Sequence, residues 1–386
     1  MSTKKNTWRL GALAALVAGA VAFGAAAPAL ADPTGTTPGG PTTRPLAGAG
    51  SDTTQDVNNG LAEVVKVGGV KVVASYDATG TATINPRTGG ATFGRPDGSG
   101  AGVNALKAAK TGTAYNGVVL GNNDLQFARS SSGATWVAGG TYAYIPLALD
   151  AVSYAKGATT TVPANLTKAD LKAIYSAADG ATVALSVGSF KVGKQTTAGA
   201  QIVPFLPQAN SGTRKFWISE LGVTTVGSAV ADSYTKAGAS VSVQEHDGSV
   251  LADVPNAIAP FSAAQYIAQG NSTDLAADYS ITVVNRRHGA VLGNVNGVSA
   301  VTAAGVLNTA FPISRPVFTV VKAADLTAGS TLATVFQGTS GLAYTATNPA
   351  AGTKTIEDFG FGDITGGAVV NGVTYTAGDT TSFRAN

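Results

Sequence analysis

The sequence predicts an α/β fold with largely parallel sheets. Two observations carry that prediction. Apolar runs of strand length alternate with amphipathic helical stretches along most of the chain, a pattern that favours strand–helix–strand units. Several of the junctions share one design, a polar Gly/Ser/Thr turn that leads into a helix. The chain has 386 residues, enough for about two domains at ~150 residues each.

The chain begins outside that fold. Lys4, Lys5 and Arg9 precede a short apolar run from about Leu10 to Gly24, and Ala29-Leu30-Ala31 fits a small-residue cleavage site. This reads as a secretory signal peptide over residues 1–31, with export of the mature protein as its consequence. Residues 32–45, DPTGTTPGGPTTRP, are rich in Pro, Gly and Thr without apolar periodicity and are expected to be a disordered leader. The ordered chain is expected to begin near Leu46.

The elements then follow in order. Lys71–Tyr76 (KVVASY) reads as a strand and Gly102–Lys110 as a helix. Tyr142–Tyr154 (YAYIPLALDAVSY) reads as a long buried strand. A helix runs to about Tyr175, with Thr167 as N-cap and Asp170 three residues on in a capping box. Asp247–Ala252 reads as a short helix with Asp247 as its cap. Tyr279–Asn285 and Pro316–Val321 read as strands. The stretches Thr79–Thr92 and Ala343–Lys354 read as hairpins or surface loops.

Composition removes several functions. With no cysteine there are no disulfides, thiolate metal sites, cysteine nucleophiles or lipid-anchor cysteine. His246 and His288 are the only histidines, too few for a multi-histidine metal site. Lys4, Lys5 and Arg9 account for the whole net charge of +3, and the rest balances 22 basic against 22 acidic residues. Bulk charge therefore gives nucleic-acid binding no support. No nucleophile–base pair or carboxylate pair stands out, so no enzyme activity, metal or cofactor is expected.

Three turns carry the functional reading: Gly48–Gln55 (GAGSDTTQ), Asp97–Gly102 (DGSGAG) and Asn210-Ser211-Gly212-Thr213, with a weaker fourth at Glu245-His246-Asp247-Gly248. The first turn of a helix has unpaired N–H groups at the positive end of the macrodipole. Hydroxyls add donors, and glycine lets the backbone approach closely. Such ends bind oxyanions. Each is equally readable as a plain helix cap. None has the spacing of a nucleotide-hydrolysing phosphate loop.

From Leu46 to about Val321 the order of motifs resembles the phosphate-binding proteins of ABC transporters, within the class II periplasmic-binding-protein family. LAGAGSDTTQDV resembles that family's opening strand and turn, DGSGAGVNAL its serine-glycine turn, and DLQFARSSS its Ala-Ser-Asp-like run. IPLALDAVSYA resembles the first crossing strand and NLTKADLKAIYSA the helix after it. PFLPQANSGTRKFW resembles the anion turn and PNAIAPFSAAQYIA the returning segment. The resemblance implies two α/β lobes joined by two crossing strands that act as a hinge. Lobe 1 would comprise residues 46–149 and 257–386, and lobe 2 residues 150–256.

It further implies a monomeric, secreted solute-binding protein that captures a tetrahedral oxyanion, foremost inorganic phosphate, for an ABC permease. The alternatives are another ligand in the same fold, or a surface or matrix protein without transport. The implied ligand-binding residues are Ser51, Asp52, Thr53, Ser99, Arg129, Ser130, Ser131, Ser211, Gly212 and Thr213.

Two departures stand out. Ser131 stands where the family has an aspartate that accepts a proton from phosphate. Pro207, Gln208 and Ala209 stand where it has an arginine. Asp52 is positioned to supply the acceptor, or else to cap the Gln55 N–H. Arg129 is positioned to supply the charge, or else to form a surface ion pair. Arg286-Arg287-His288 reads as a solvated basic loop or a partner contact, and Trp136 and Trp217 as packing residues.

Overall fold

A computed structural model describes residues 32–33 and 39–386. The expected signal peptide, residues 1–31, lies outside the described residues. The organising element is a 16-residue strand, Tyr142–Gly157, with all but its last residue buried. A strand covered on both faces needs near-continuous apolar sequence, and that is why YAYIPLALDAVSY was readable.

This strand belongs to two sheets in succession. Its first part pairs antiparallel with Ser314–Lys322, from Tyr142 opposite Lys322 to Ala151 opposite Ser314, with an irregularity between Pro146 and Ala148. Its last part pairs antiparallel with Ala257–Ser262, from Val152 opposite Ser262 to Lys156 opposite Ile258. The main path runs Val203–Pro204, Ala257–Ser262, Tyr142–Gly157, Ser314–Lys322, Phe127–Ser130, Leu46–Gly50, Val73–Ser75, and Ala290–Leu292 and Arg384–Ala385 also pair with the long strand.

Parallel pairing is confined to the flanks. Leu46–Gly50 is parallel to both of its neighbours, and Val203–Pro204 is parallel to Ala257–Ser262. The expectation of largely parallel sheets thus fails at the centre. The long strand and Ser314–Lys322 run in opposite directions, and each imposes antiparallel pairing there.

The helices follow the predicted junctions. Gln55–Val64 follows the first strand, and Ser99–Thr111 follows the Asp-Gly-Ser turn. Lys168–Tyr175 has the full capping box: the Thr167 hydroxyl accepts the Asp170 N–H, and the Asp170 carboxylate accepts the Thr167 N–H. Gly212–Glu220 begins at Ser211, whose hydroxyl accepts the Arg214 N–H at 2.9 Å. Trp217 is fully buried against Tyr175, and Trp136 packs on Tyr144, Phe318 and Phe383, so both serve packing.

Three expectations are corrected. Residues 280–287 have no strand: the helix Ser272–Tyr279 ends at Ser280 in a left-handed conformation, and YSITVVN is too exposed to act as a buried strand. The short helix is Ser249–Asp253 with Gly248 at the cap. Asp247 lies one residue earlier and accepts the Ser249 N–H. The described part of the leader is held to the fold. Asp32 is buried in an ion pair with Arg95 at 2.8 Å, and Arg44 pairs with Glu63 at 2.9 Å. Charged partners order this segment where composition offers no apolar anchor.

Candidate functional site

The site is built where the three predicted turns meet the long strand. Two of the turns depend on glycine. Gly50 has φ +128°, and a Cβ there would lie 2.6 Å from the Arg129 carbonyl oxygen. Gly102 in the next turn faces it so closely that a Cβ would lie 2.5 Å from the Gly50 Cα. The first strand and the Ser99–Thr111 helix therefore approach backbone to backbone. Ser99 is brought against Ser131: the Ser131 N–H donates to the Ser99 hydroxyl at 3.0 Å, and the two Oγ atoms are 3.2 Å apart. Gly212 packs onto the same two hydroxyls, leaving no room for a side chain.

Thr53 is the hub. Its fully buried Oγ1 lies 3.3 Å from Thr213 Oγ1, 3.0 Å from His246 Nε2 and 3.5 Å from Glu245 Oε2. Arg315 Nη2 donates to both threonine hydroxyls, at 3.3 Å to Thr53 and 3.0 Å to Thr213. An arginine that donates to a hydroxyl occupies its lone pair and leaves its proton to be given elsewhere. The guanidinium is itself 1% exposed. It is held by Asp150 Oδ2 through Nε at 3.0 Å and Nη2 at 2.9 Å, by the Ser131 carbonyl, and against the Phe216 ring. Asp150 is in turn fixed by the Ser262 hydroxyl at 2.7 Å and the Ala264 N–H at 3.2 Å.

His246 and Glu245 complete the cluster, against the reading of that turn as local structure only. His246 adopts φ +53°, a left-handed conformation uncommon away from glycine. Its Nδ1 accepts the Ser262 N–H at 3.2 Å, so in the neutral ring the proton sits on Nε2 and points towards Thr53 and Glu245. Asp52, Glu245 and His246 place ligand atoms within 4.8 Å of one another. A metal at Nε2 would need that proton removed and Nδ1 protonated against an N–H donor. The arrangement is that of a hydrogen-bond network. Burial opposes ionisation of Glu245, but hydrogen bonds from His246 and Ser211 and the Arg315 charge hold its carboxyl below the usual range.

The predicted residues divide. Thr53, Ser99, Ser131, Ser211, Gly212 and Thr213 converge. Ser51 is adjacent and fully buried, and its hydroxyl has no hydrogen-bond partner. Ser130 turns away into its own loop, donating to the Ser132 carbonyl at 2.7 Å.

Asp52 is neither a free acceptor nor the cap of Gln55. One Arg286 nitrogen reaches both its oxygens, at 3.1 and 3.2 Å, and Gln55 N–H takes the Asp52 main-chain carbonyl instead. Burial opposes the Arg286 charge, but Asp52 and Asp56 outweigh it and raise its pKa. The basic loop is thus partly drawn inward.

Arg129 is no surface residue and does not reach the cluster through its guanidinium. It is fully buried and donates to the carbonyls of Gly50, Ser51 and Tyr76 and to the Ser75 hydroxyl. Burial, opposed chiefly by Asp77, lowers its pKa to about 10.

Arg315 and Asp150 are the residues that sequence reasoning missed, and Glu245 and His246 entered it only as part of the weaker fourth turn. A signal existed for the first two. Each is a lone charge at or inside an otherwise apolar strand, and two such charges of opposite sign are expected to meet. They stand directly opposite in register.

Residues 35–337 match the PBP superfamily domain. The chain belongs to that superfamily. Its mixed α/β architecture is the two-lobed periplasmic-binding-protein fold. Solved structures similar to it include an ABC-type phosphate transport receptor from Vibrio cholerae (16% identity, TM-score 0.44, 82% of this chain and 99% of that one). Another is PstS from Borrelia burgdorferi (14% identity, TM-score 0.41, 82% and 97%). Likenesses this distant assign neither ligand nor residue roles. No curated protein matches the chain. Among the described residues no helix is long and apolar enough to cross a membrane.

Proposed function

We propose that this is an exported solute-binding protein that captures a tetrahedral oxyanion, foremost inorganic phosphate, for an ABC-type importer. One observation carries the reading. Hydroxyl and N–H donors from three separate turns converge on one buried point beside Arg315, whose own donors orient the Thr53 and Thr213 hydroxyls. The N-terminus of the Gly212–Glu220 helix adds its dipole. Thr53, Ser99, Ser131, Ser211, Gly212 and Thr213 would contact the ligand, with Ser51 offering an unpaired hydroxyl and Arg315 the positive charge.

On the lobe division expected from the sequence, 46–149 with 257–386 and 150–256, the residues around the point would come from both lobes. Ligand would thus be gripped from both sides and exchanged by hinge opening. The reading is one of binding, without a chemical step. The test is isothermal titration calorimetry of the chain after ligand is stripped by unfolding and refolding. One-to-one binding of phosphate with weaker sulfate binding is expected. Absence of heat with both anions would overturn the proposal.

A further inference from the structure

We infer that Glu245 is a tethered anion that occupies the oxyanion seat of the free protein, so that ligand binds by displacing the protein's own carboxylate. The inference rests on the oxyanion-binding reading above and adds how that site is controlled.

The Thr213 N–H, in the first turn of the Gly212–Glu220 helix, donates to Glu245 Oε1 at 3.2 Å. On Thr53, the Arg315 and His246 donors occupy the lone pairs, and its proton is directed to Glu245 Oε2 or to Thr213. A carboxylate that collects a helix-end N–H and a turn hydroxyl has donors of the kind that hold a bound oxyanion. Glu245 is 2% exposed, so this is a built contact and not a surface approach.

Charge makes the two occupants exclusive. Arg315 is already matched by Asp150 and Arg286 by Asp52. Glu245 therefore has no guanidinium of its own and relies on the helix end, His246 and the hydroxyls. A phosphate dianion placed on the same N–H would take that donor from the carboxylate and face it at contact distance, so the two compete for one seat. His246, fixed by the Ser262 N–H, stays as the donor that steadies the carboxylate. Such a device sets the affinity below what the donor set alone would give.

The test compares the stripped parent chain with Glu245→Gln and Glu245→Asp, using inorganic phosphate and sulfate in calorimetric titrations. The glutamine removes the resident charge at nearly constant volume. The aspartate withdraws it by one methylene and serves if the glutamine variant does not fold. The expected result is phosphate binding at least tenfold tighter in Glu245→Gln, a smaller gain in Glu245→Asp, and a parallel gain for sulfate. A parent that binds phosphate while its folded variants bind it equally or more weakly would overturn the inference and leave the oxyanion reading standing. Binding by the variants alone would support the inference and overturn import by the native chain. No binding by any of the three would overturn both.

Discussion

Arg129 and Arg315 are buried to the same degree, at 0% and 1% exposure, and lie on neighbouring strands. Their partners differ in kind. Arg129 ties together the carbonyls of Gly50, Ser51 and Tyr76, which are fixed backbone, and its one hydroxyl partner, Ser75, is no part of the cluster. Arg315 is held by one carboxylate and the Ser131 carbonyl, and it also donates to the hydroxyls of Thr53 and Thr213. Backbone carbonyls have no protons to hand on, whereas hydroxyls do. A buried guanidinium therefore marks a binding site by where its hydroxyl partners converge, and not by burial.

The strongest way to break this contrast is Arg315→Gln. It leaves the Asp150 carboxylate buried with only Ser262 and Ala264 as donors. A stability loss of about 3–5 kcal/mol is expected, read from urea unfolding, together with loss of phosphate binding. Retained phosphate affinity in the folded variant would remove Arg315 from the site.

Arg129→Met should cost stability of about 2–4 kcal/mol through orphaned carbonyls. Phosphate affinity of the folded fraction should stay within about threefold. A collapse of affinity without loss of stability would instead give Arg129 the ligand role first expected of it.

Asp56 sharpens the comparison from the side of the carboxylates. Burial, reinforced by Asp77 and opposed by Arg286, pushes its pKa up from 3.8 to about 7. The folded state then binds more protons than the unfolded state between those values. Stability falls as pH rises from about 4 to about 7 and stays lowered above. Asp56→Asn should therefore gain on the order of 2 kcal/mol at pH 8 and little near pH 4. Equal unfolding midpoints for variant and parent at pH 8 would refute the shift.

The smallest expected effect is that of Thr53→Val, which keeps shape and removes the hub hydroxyl. Phosphate affinity should fall about tenfold, or ~1.4 kcal/mol. An unchanged dissociation constant in calorimetry would show that this hydroxyl gives its proton to the protein alone.

Much of this architecture was readable because it is local. The Thr167–Asp170 box, the Ser211 cap and the apolar run of the long strand each depend on residues a few positions apart. The Ser-Gly-Thr turn was placed correctly for the same reason. The partners of its residues were not readable, since they arrive from far along the chain. Arg315 reaches Thr53 across 262 positions, and Arg286 reaches Asp52 across 234. Asp52 and Arg129 were assigned roles by position within a motif, but tertiary pairing redirected both side chains. The strand expected at Tyr279–Asn285 shows the opposite failure. Its local β-branched pattern was genuine, but no neighbouring strand pairs with it.

One feature of the fold bears on how the molecule comes apart. Tyr142–Gly157 supplies a central ladder to both sheets, changing partners between Ala151 and Val152. Neither lobe can melt without taking a covered strand from the other. Unfolding should thus proceed as one cooperative transition, and amide hydrogens on both halves of this strand should exchange together, with the protection of the whole molecule.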